Sequence, residues 1–348
     1  DITLGIIGGG QLGSMLAIAA KKLNVKTIIF SDDSDAPAQN FCNQFISGNY
    51  DDKEKVSDFV NQVDVVTYEF ENIPFETLNE INKLKPVLPK PSVNRLIQHR
   101  LAEKDFINKL NIRTTRYVSI EKKSDIDALE DFLPGILKTT TLGYDGKGQI
   151  WIDPSDDFDA SFVALGSDDA ILEAAVDFAT EASFLVARTA DGRIAHFPAS
   201  LNAHKNGILA RSVAPAPIGE NLVTSGQQAV QRLAEAMELV GVLALETFVT
   251  TDDKLLFNEI APRPHNSFHW TIEGCATSQF TQLARCLAGM PLGSTRSYGR
   301  WQMDNLLGED MSSLEKLTAE KGLHLHLYGK ASTKTGRKMG HTNRLITR

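Results

Sequence analysis

The sequence predicts an α/β protein with a Rossmann-like unit at its amino end and a second α/β region behind it. Three observations carry that expectation. Residues 2–30 run strand, glycine turn, helix, strand. A new α/β pattern opens at Arg116 and contains a glycine-rich loop with a strand on each side. Two apolar runs, Val242 to Val249 and one from Leu255 onward, flank a polar break of the kind that closes a hairpin.

The 348 residues suffice for two or three domains with ample core. A content of 42% hydrophobic and 23% charged residues is ordinary for a globular chain and gives no sign of disorder. The formal net charge of −8 argues against a general binder of nucleic acid or anionic membrane, so phosphate recognition has to come from local basic residues. Cys42, Cys275 and Cys286 are odd in number and widely spaced. They fit neither a zinc pattern nor a disulfide framework, which points to a reducing cytoplasm. The apolar runs are too short to span a bilayer, and the chain enters a strand at once with little sign of a targeting segment.

Taken in order, Ile2 to Ile7 is an apolar strand that runs into Gly8-Gly9-Gly10-Gln11-Leu12-Gly13. Leu12, Met15, Leu16, Ala19 and Leu23 then recur at helical spacing, and Lys26 to Phe30 is the second strand. With Asp32 near the place of a ribose-binding acid, this admits a dinucleotide site, beside the plainer reading of a turn that serves packing. Val63 to Tyr68 reads as a buried strand ending in Glu69-Phe70-Glu71-Asn72. Acids at the carboxyl end of a parallel strand lie where open α/β sheets bind ligands, or they simply precede the helix after Pro74. Prolines between Pro86 and Pro91 mark a boundary. Val93 to Leu110 reads as helix, Arg116 to Ile120 as strand, Asp125 to Phe132 as helix and Gly135 to Thr139 as strand. The loop Gly143-Tyr144-Asp145-Gly146-Lys147-Gly148-Gln149 leads to the strand Ile150 to Asp153. It lacks the following serine or threonine and helix of a Walker loop, and suits a flap that closes over phosphates or an ordinary hairpin loop.

Ala170 to Glu173 is a short strand, and Ser183 to Ala190 with Arg193 to Ser200 form a hairpin about Asp191-Gly192; Gly219 to Val240 is a long helix. In the next hairpin, Asp252 and Asp253 as turn residues would put Glu246 opposite Glu259. Facing side chains share one side of a sheet with Cβ atoms roughly 4.5–5.5 Å apart, where like charges repel. A bridging cation reverses that sign. Asn258 adds an oxygen, so Glu246, Asn258 and Glu259 suit a hard cation of the Mg²⁺ type, with Mn²⁺ as a substitute. A slip of one residue would separate the acids onto two faces and leave a solvated hairpin. Arg263-Pro264-His265-Asn266 places a guanidinium, an imidazole and an amide within four residues, stiffened by Pro262 and Pro264, which suits a small anion beside a metal-bound phosphate. A helix over Ser278 to Leu287 and a strand over His324 to Tyr328 precede Lys330, Lys334, Arg337, Lys338 and His341. That basic group is either a solvated face or a phosphate clamp.

With these pieces in order the chain resembles the ATP-grasp superfamily and, within it, the N5-carboxyaminoimidazole ribonucleotide synthetase family. The resemblance rests on GGGQLG at 8–13, YEFEN at 68–72, GYDGKGQ at 143–149, ExxVxFxxE at 173–181, NEIAPRPHNS at 258–267 and GRKMGH at 336–341. It implies an ATP-grasp fold with a Rossmann-like (pre-ATP-grasp) domain at 1–98, a small subdomain with the flap at 99–176, a large subdomain with the metal site at 177–295, and a small C-terminal domain at 296–348. It also implies ATP and Mg²⁺ as cofactors, aminoimidazole ribonucleotide and bicarbonate as substrates, a cytoplasmic homodimer, and a separate mutase that takes the product.

Carried over by position, the resemblance gives Arg100 and Lys138 to the ATP phosphates and the loop Gly143 to Gln149 to their cover. Glu173, Ala174, Ala175 and Val176 would form the hinge that meets adenine, mostly through backbone groups. Glu181 would accept from the ribose hydroxyls, and His204 in NAHKNGIL and Asn258 would also line the nucleotide site. Glu246 and Glu259 would hold the metal. Gly10, Gln11, Leu12, Glu71, Tyr144, Asp145, Arg263, His265, Asn266, Lys330, Arg337 and Lys338 would surround the ribonucleotide and bicarbonate. The implied reaction forms carboxyphosphate from bicarbonate and ATP; the 5-amino group then captures its carbon, or CO₂ released from it. Arg263 would clamp bicarbonate, and His265 or Asp145 would handle the amine proton.

The chain departs from the family pattern at Thr139-Thr140-Thr141-Leu142, where relatives often carry arginine and a further glycine, and it stops soon after GRKMGH. A formate-using ribonucleotide transferase or a biotin carboxylase would share the ATP site and differ in the acceptor pocket. A non-catalytic nucleotide-binding module would show a lost metal acid or a broken glycine loop, and this sequence keeps the acids and the loop. A dehydrogenase would rest on GGGQLG alone.

Overall fold

The apolar runs of the first hundred residues are near-continuous because both faces of their sheet are covered. In the computed structural model, which describes residues 2–121, 129–142 and 148–347, the strands β1 (Thr3–Ile7), β2 (Lys26–Ser31), β3 (Gln44–Ser47) and β4 (Val65–Tyr68) form a parallel sheet ordered β3-β2-β1-β4. On one face Leu4 and Ile6 pack with Leu16 and Ala17 of α1 (Gln11–Lys22). On the other, Ile7 and Phe30 pack with Phe59 of α2 (Lys53–Asn61) and Leu78 of α3 (Phe75–Asn82). Strand order reverses between β1 and β4, so the glycine turn and Glu69 meet at the crevice where such sheets bind ligands.

The single helix expected over 93–110 is two: α4 (Pro91–Ile97) and α5 (Arg100–Lys109). His99 leaves the helical conformation at φ −124 and ψ 107. Its Nδ1 then accepts from the Ala102 N–H at 3.4 Å, capping α5 and turning it toward the next sheet. That sheet is antiparallel, ordered β5-β8-β6-β7, from β5 (Tyr117–Ile120), β6 (Gly135–Thr139), β7 (Gln149–Ile152) and β8 (Ala170–Ala174), with α6 (Phe158–Leu165) packed on it. Of the helix expected over 125–132, residues 125–128 lie outside the described residues, and Glu130–Phe132 is a 3₁₀ turn.

Among the described residues the largest sheet takes β9 (Phe178–Arg188), β10 (Ile194–His196), β11 (Ser200–Lys205), β12 (Ile208–Ala214), β13 (Gly241–Thr250), β14 (Leu255–Ala261), β15 (Arg300–Leu307), β16 (Leu323–Leu327) and β17 (Lys338–Thr347). Its path is β14-β13-β9-β11-β12-β15-β17-β16, with β10 on β9. The strand expected over 193–200 is therefore split: β10 ends at His196, and Ser200 starts a separate strand opposite Ser183. Leu222, Val230 and Leu233 of α7 (Glu220–Ala236) cover one face. On the other, beyond the short α8 (Thr271–Gly274), Leu283 and Leu287 of α9 (Gln279–Leu287) join the core that contains α1, so the first and largest sheets share one apolar interior. The pairing of β12 with β15 ties the last fifty residues into the same sheet. His341 is no part of a basic face, because it points inward from β17 and is fully buried between His269 and His326.

Candidate active site

The β13–β14 hairpin sets the acids, by a route the sequence count did not foresee. Thr250 N–H donates to the Lys254 carbonyl at 2.9 Å, so the turn is the three residues 251–253, with Asp253 at φ +55. Thr247, Phe248 and Val249 consequently face Phe257, Leu256 and Leu255, one residue off the expected register. A β-bulge at Asn258 takes up the difference and returns Glu246 to Glu259. In an unbroken strand Phe257 and Glu259 would share a face; with the extra residue Phe257 is buried in the core and Glu259 is open to solvent. Asn258 is thus the bulge that aims the acid. The third group beside the two carboxylates is His265, the ligand atoms of all three lying within 4.8 Å of one another.

His265 Nε2 lies 2.6 Å from Glu246 Oε1, while its Nδ1 meets the Ser267 hydroxyl at 2.8 Å and the Ser267 N–H at 3.3 Å. Burial works against charge on Glu246, yet the adjoining His265 holds its carboxyl down to about 2. Although Glu259 is reached by solvent, the protein crowded around it limits its hydration, and this, followed by the charge of Glu246, pushes its carboxyl up. Two carboxylates at facing strand positions, one raised by the other, are the donor set a hard divalent cation relieves, so these residues fit Mg²⁺.

Across from the hairpin, α5 and the four-stranded sheet bring three cations together. Lys138 Nζ is 2.9 Å and Lys104 Nζ 3.4 Å from opposite oxygens of Glu173, whose side chain is buried. Through its side chain Glu173 belongs to this ion pair. Burial opposes its charge, but Lys138 and then Lys104 hold the carboxyl below its usual range. Arg100 donates from Nη1 to the Thr139 carbonyl at 2.7 Å and from its backbone N–H to Thr140 at 2.8 Å, so it braces the segment where the family pattern is broken. Glu103 accepts from the Ile260 N–H at 2.9 Å and is pushed up to about 8, chiefly by burial. Glu103 and Lys104 escaped the sequence reading because a helical run of charges does not disclose which of them turn inward. In the hinge, Ala174 and Ala175 already donate to the Arg116 and Pro134 carbonyls, so those two N–H groups are not open to a base. Glu181 accepts at 2.7 Å from His204 Nδ1. Gly148 takes φ +68 and its carbonyl accepts from Thr139, and Gln149 faces Lys138. Gly143, Tyr144, Asp145, Gly146 and Lys147 lie outside the described residues.

On the acceptor side Arg263 Nη2 meets Glu71 at 2.5 Å, and Arg263 Nε is buried with no partner among the described residues. Asn266, expected beside the substrate, exchanges two amide hydrogen bonds of 2.9 and 2.6 Å with Asn305. Leu12, expected beside the substrate, is partly buried and packs against the apolar core. Gly10 and Gln11 line a cavity of 240 Å³ together with Tyr50, Glu69, Lys330 and Arg337. Glu69, which the sequence reading left unassigned, accepts hydrogen bonds from the N–H groups of Gly10 and Gly13. Lys338 opens β17, where its charge bears on Glu246.

Family models match along the chain: a ribonucleotide synthetase preATP-grasp domain over 2–98, an ATP-grasp domain over 105–280 and a phosphoribosylaminoimidazole carboxylase C-terminal domain over 302–347. The chain is 42% identical over 350 residues to N5-carboxyaminoimidazole ribonucleotide synthase of Brucella melitensis, covering 99% of this chain and 97% of that one. It is also 42% identical over 363 residues to the bifunctional purine synthesis protein purC/E of Dictyostelium discoideum, covering 97% of this chain and 36% of that longer protein. Among solved structures it is similar to an ADP complex of purK, N5-carboxyaminoimidazole ribonucleotide synthetase, at 38% identity and TM-score 0.96, covering 100% and 93% of the two chains. A synthase from Aspergillus clavatus in complex with ADP and 5-aminoimidazole ribonucleotide matches at 27% identity and TM-score 0.93, covering 100% and 94%. The chain belongs to the ATP-grasp superfamily and, within it, to the N5-carboxyaminoimidazole ribonucleotide synthase family.

Proposed function

We propose that the chain carboxylates 5-aminoimidazole ribonucleotide with bicarbonate at the expense of ATP, giving N5-carboxyaminoimidazole ribonucleotide, ADP and phosphate. The observation that carries this reading is the arrangement Glu246, Glu259 and His265 on one side and Arg263 with Glu71 on the other, in a chain related end to end to synthases of that name. Glu246 and Glu259 would hold Mg²⁺, which when bound supplies charge neutralisation at the ATP phosphates. Lys138 and Lys104, poised on Glu173, would attract the same phosphates, and Arg100 would fix the segment over them.

In this reading Arg263 orients bicarbonate through two parallel N–H bonds. A bicarbonate oxygen attacks the γ-phosphorus, the bond to the β-phosphate oxygen breaks, and ADP leaves with carboxyphosphate as the other product. The 5-amino nitrogen then bonds to the carboxyl carbon and inorganic phosphate departs. His265 takes the amine proton, with Asp145 as the alternative acceptor. Lys330, Arg337 and Lys338 bind the ribonucleotide. Residues 1–98 and 296–348 frame that substrate, while 99–176 and 177–295 close on ATP. The family resemblance supports a cytoplasmic homodimer whose product passes to a separate mutase.

Bicarbonate labelled with ¹⁸O tests the sequence of bonds. One labelled oxygen should appear in inorganic phosphate, and only when the ribonucleotide is present at turnover. Unlabelled phosphate would exclude carboxyphosphate and overturn the mechanism.

A further inference from the structure

The turn Gly8 to Gly13 has the setting a phosphate needs: N–H groups at the start of α1 that find no partner within the helix, at the carboxyl end of a parallel strand. The chain fills that place with its own anion. Gly10 and Gly13 donate to the two oxygens of Glu69, the bond from Gly13 measuring 2.7 Å. The glycines are fitted to this carboxylate. A Cβ on Gly10 would lie 2.7 Å from Glu69 Oε1, and one on Gly8, itself at φ +100, would lie 2.5 Å from Glu69 Cγ. The adjoining cavity is lined by Asp32, Asp33, Lys330 and Arg337. With Glu69 in the turn, the cationic groups that this cavity presents to a phosphate are Lys330 and Arg337.

We infer that Glu69 is a specificity-determining plug: it closes the glycine turn to phosphate groups and so directs the 5′-phosphate of the ribonucleotide to Lys330 and Arg337. This rests on the reading that the cavity takes a ribonucleotide. It also explains why a turn with the sequence of a dinucleotide cradle does not serve one here. A pyrophosphate set on α1 would need the two N–H groups that Glu69 holds, and would meet its charge.

Calorimetric titration with inorganic phosphate, in the absence of other substrates, tests the plug. Arg337→Ala should weaken phosphate binding by about tenfold, the loss of one charge-assisted contact. The double variant Glu69→Ala, Arg337→Ala should regain most of that affinity through the opened turn. Glu69→Ala alone should also lower kcat and KM for the ribonucleotide together, with kcat/KM little changed, because the phosphate gains a second, unproductive seat. A double variant that binds phosphate no better than Arg337→Ala would overturn the inference. Should Glu69→Ala fail to fold, Glu69→Ser fills part of the same space and permits the same comparison. Failure of the wild type to turn over the ribonucleotide would count against the proposed function, while the phosphate titration would still decide the role of Glu69.

Discussion

Glu259 stands open to solvent with a raised carboxyl, while Glu246 opposite it is held down to about 2 by His265. Removing Glu259 therefore relieves repulsion in the protein and costs the cation site. Glu259→Ala should melt no lower than the wild type yet lose about 100-fold or more in Mg²⁺-dependent kcat/KM; near-normal turnover would remove the metal assignment. Glu173 works in the opposite way. Its folded pKa lies below its unfolded value, so its pairing stabilises the fold above roughly pH 4.5 and that contribution is lost as pH falls through the depressed folded value. Glu173→Gln leaves Lys104 buried without its counter-charge and should cost about 3–5 kcal/mol at neutral pH, measured by urea unfolding, with a flatter acid limb. At this scale the sequence pointed to Glu259 and Arg263 through one short motif and to Glu246 through its place opposite Glu259 in the hairpin. It concealed Glu69 and Lys104, whose partners lie 56 and 69 positions away and are joined to them by folding alone.

The hairpin shows the same limit one level up. The break Thr250–Lys254 was legible as a turn, but its length was not, because Asp253 in the left-handed region makes it three residues instead of two. The count of facing positions still met the right pair, since the bulge at Asn258 cancels the turn's extra residue. Deleting Asn258 should therefore do more than trim a strand. It would turn Glu259 toward the core or drive Phe257 out of it, and the variant should lose both activity and thermal stability. A deletion variant with wild-type turnover would show that the bulge does not aim the acid. The α4–α5 break was hidden for a related reason. The helical period runs on through residues 93–110, and His99, a weak capping residue, gives little local warning of the turn that carries Arg100 and Lys104 to the site.

In the whole molecule the Rossmann-like start was plain from residues 2–30, whereas the extent of the largest sheet was not, because β12 pairs with β15 across about ninety residues of sequence and β15 in turn with β17 across more than thirty. One consequence is a buried histidine stack linking those late strands to α8. His341 faces His269 at 4.8 Å and His326 at 4.4 Å, with Tyr328 bonded to its Nδ1 and Glu273 to His326. Burial keeps His269 and His341 well below 6.5. The unfolded chain takes up protons that these rings refuse, so their contribution is present above about pH 6.5 and declines as pH falls. His341→Gln should lessen the loss of stability between pH 6.5 and 5 by up to about 1.4 kcal/mol per pH unit, the value for one proton; an unchanged acid slope would contradict a neutral buried ring.

The central claim, that this assembly spends ATP to place bicarbonate on an amino-imidazole, is tested most directly by radiolabelled bicarbonate with MgATP. ADP should form when 5-aminoimidazole ribonucleotide and bicarbonate are both present, with the label in an acid-labile product in equal amount. ADP formed with formate and glycinamide ribonucleotide instead, or at the same rate without the imidazole nucleotide, would contradict it.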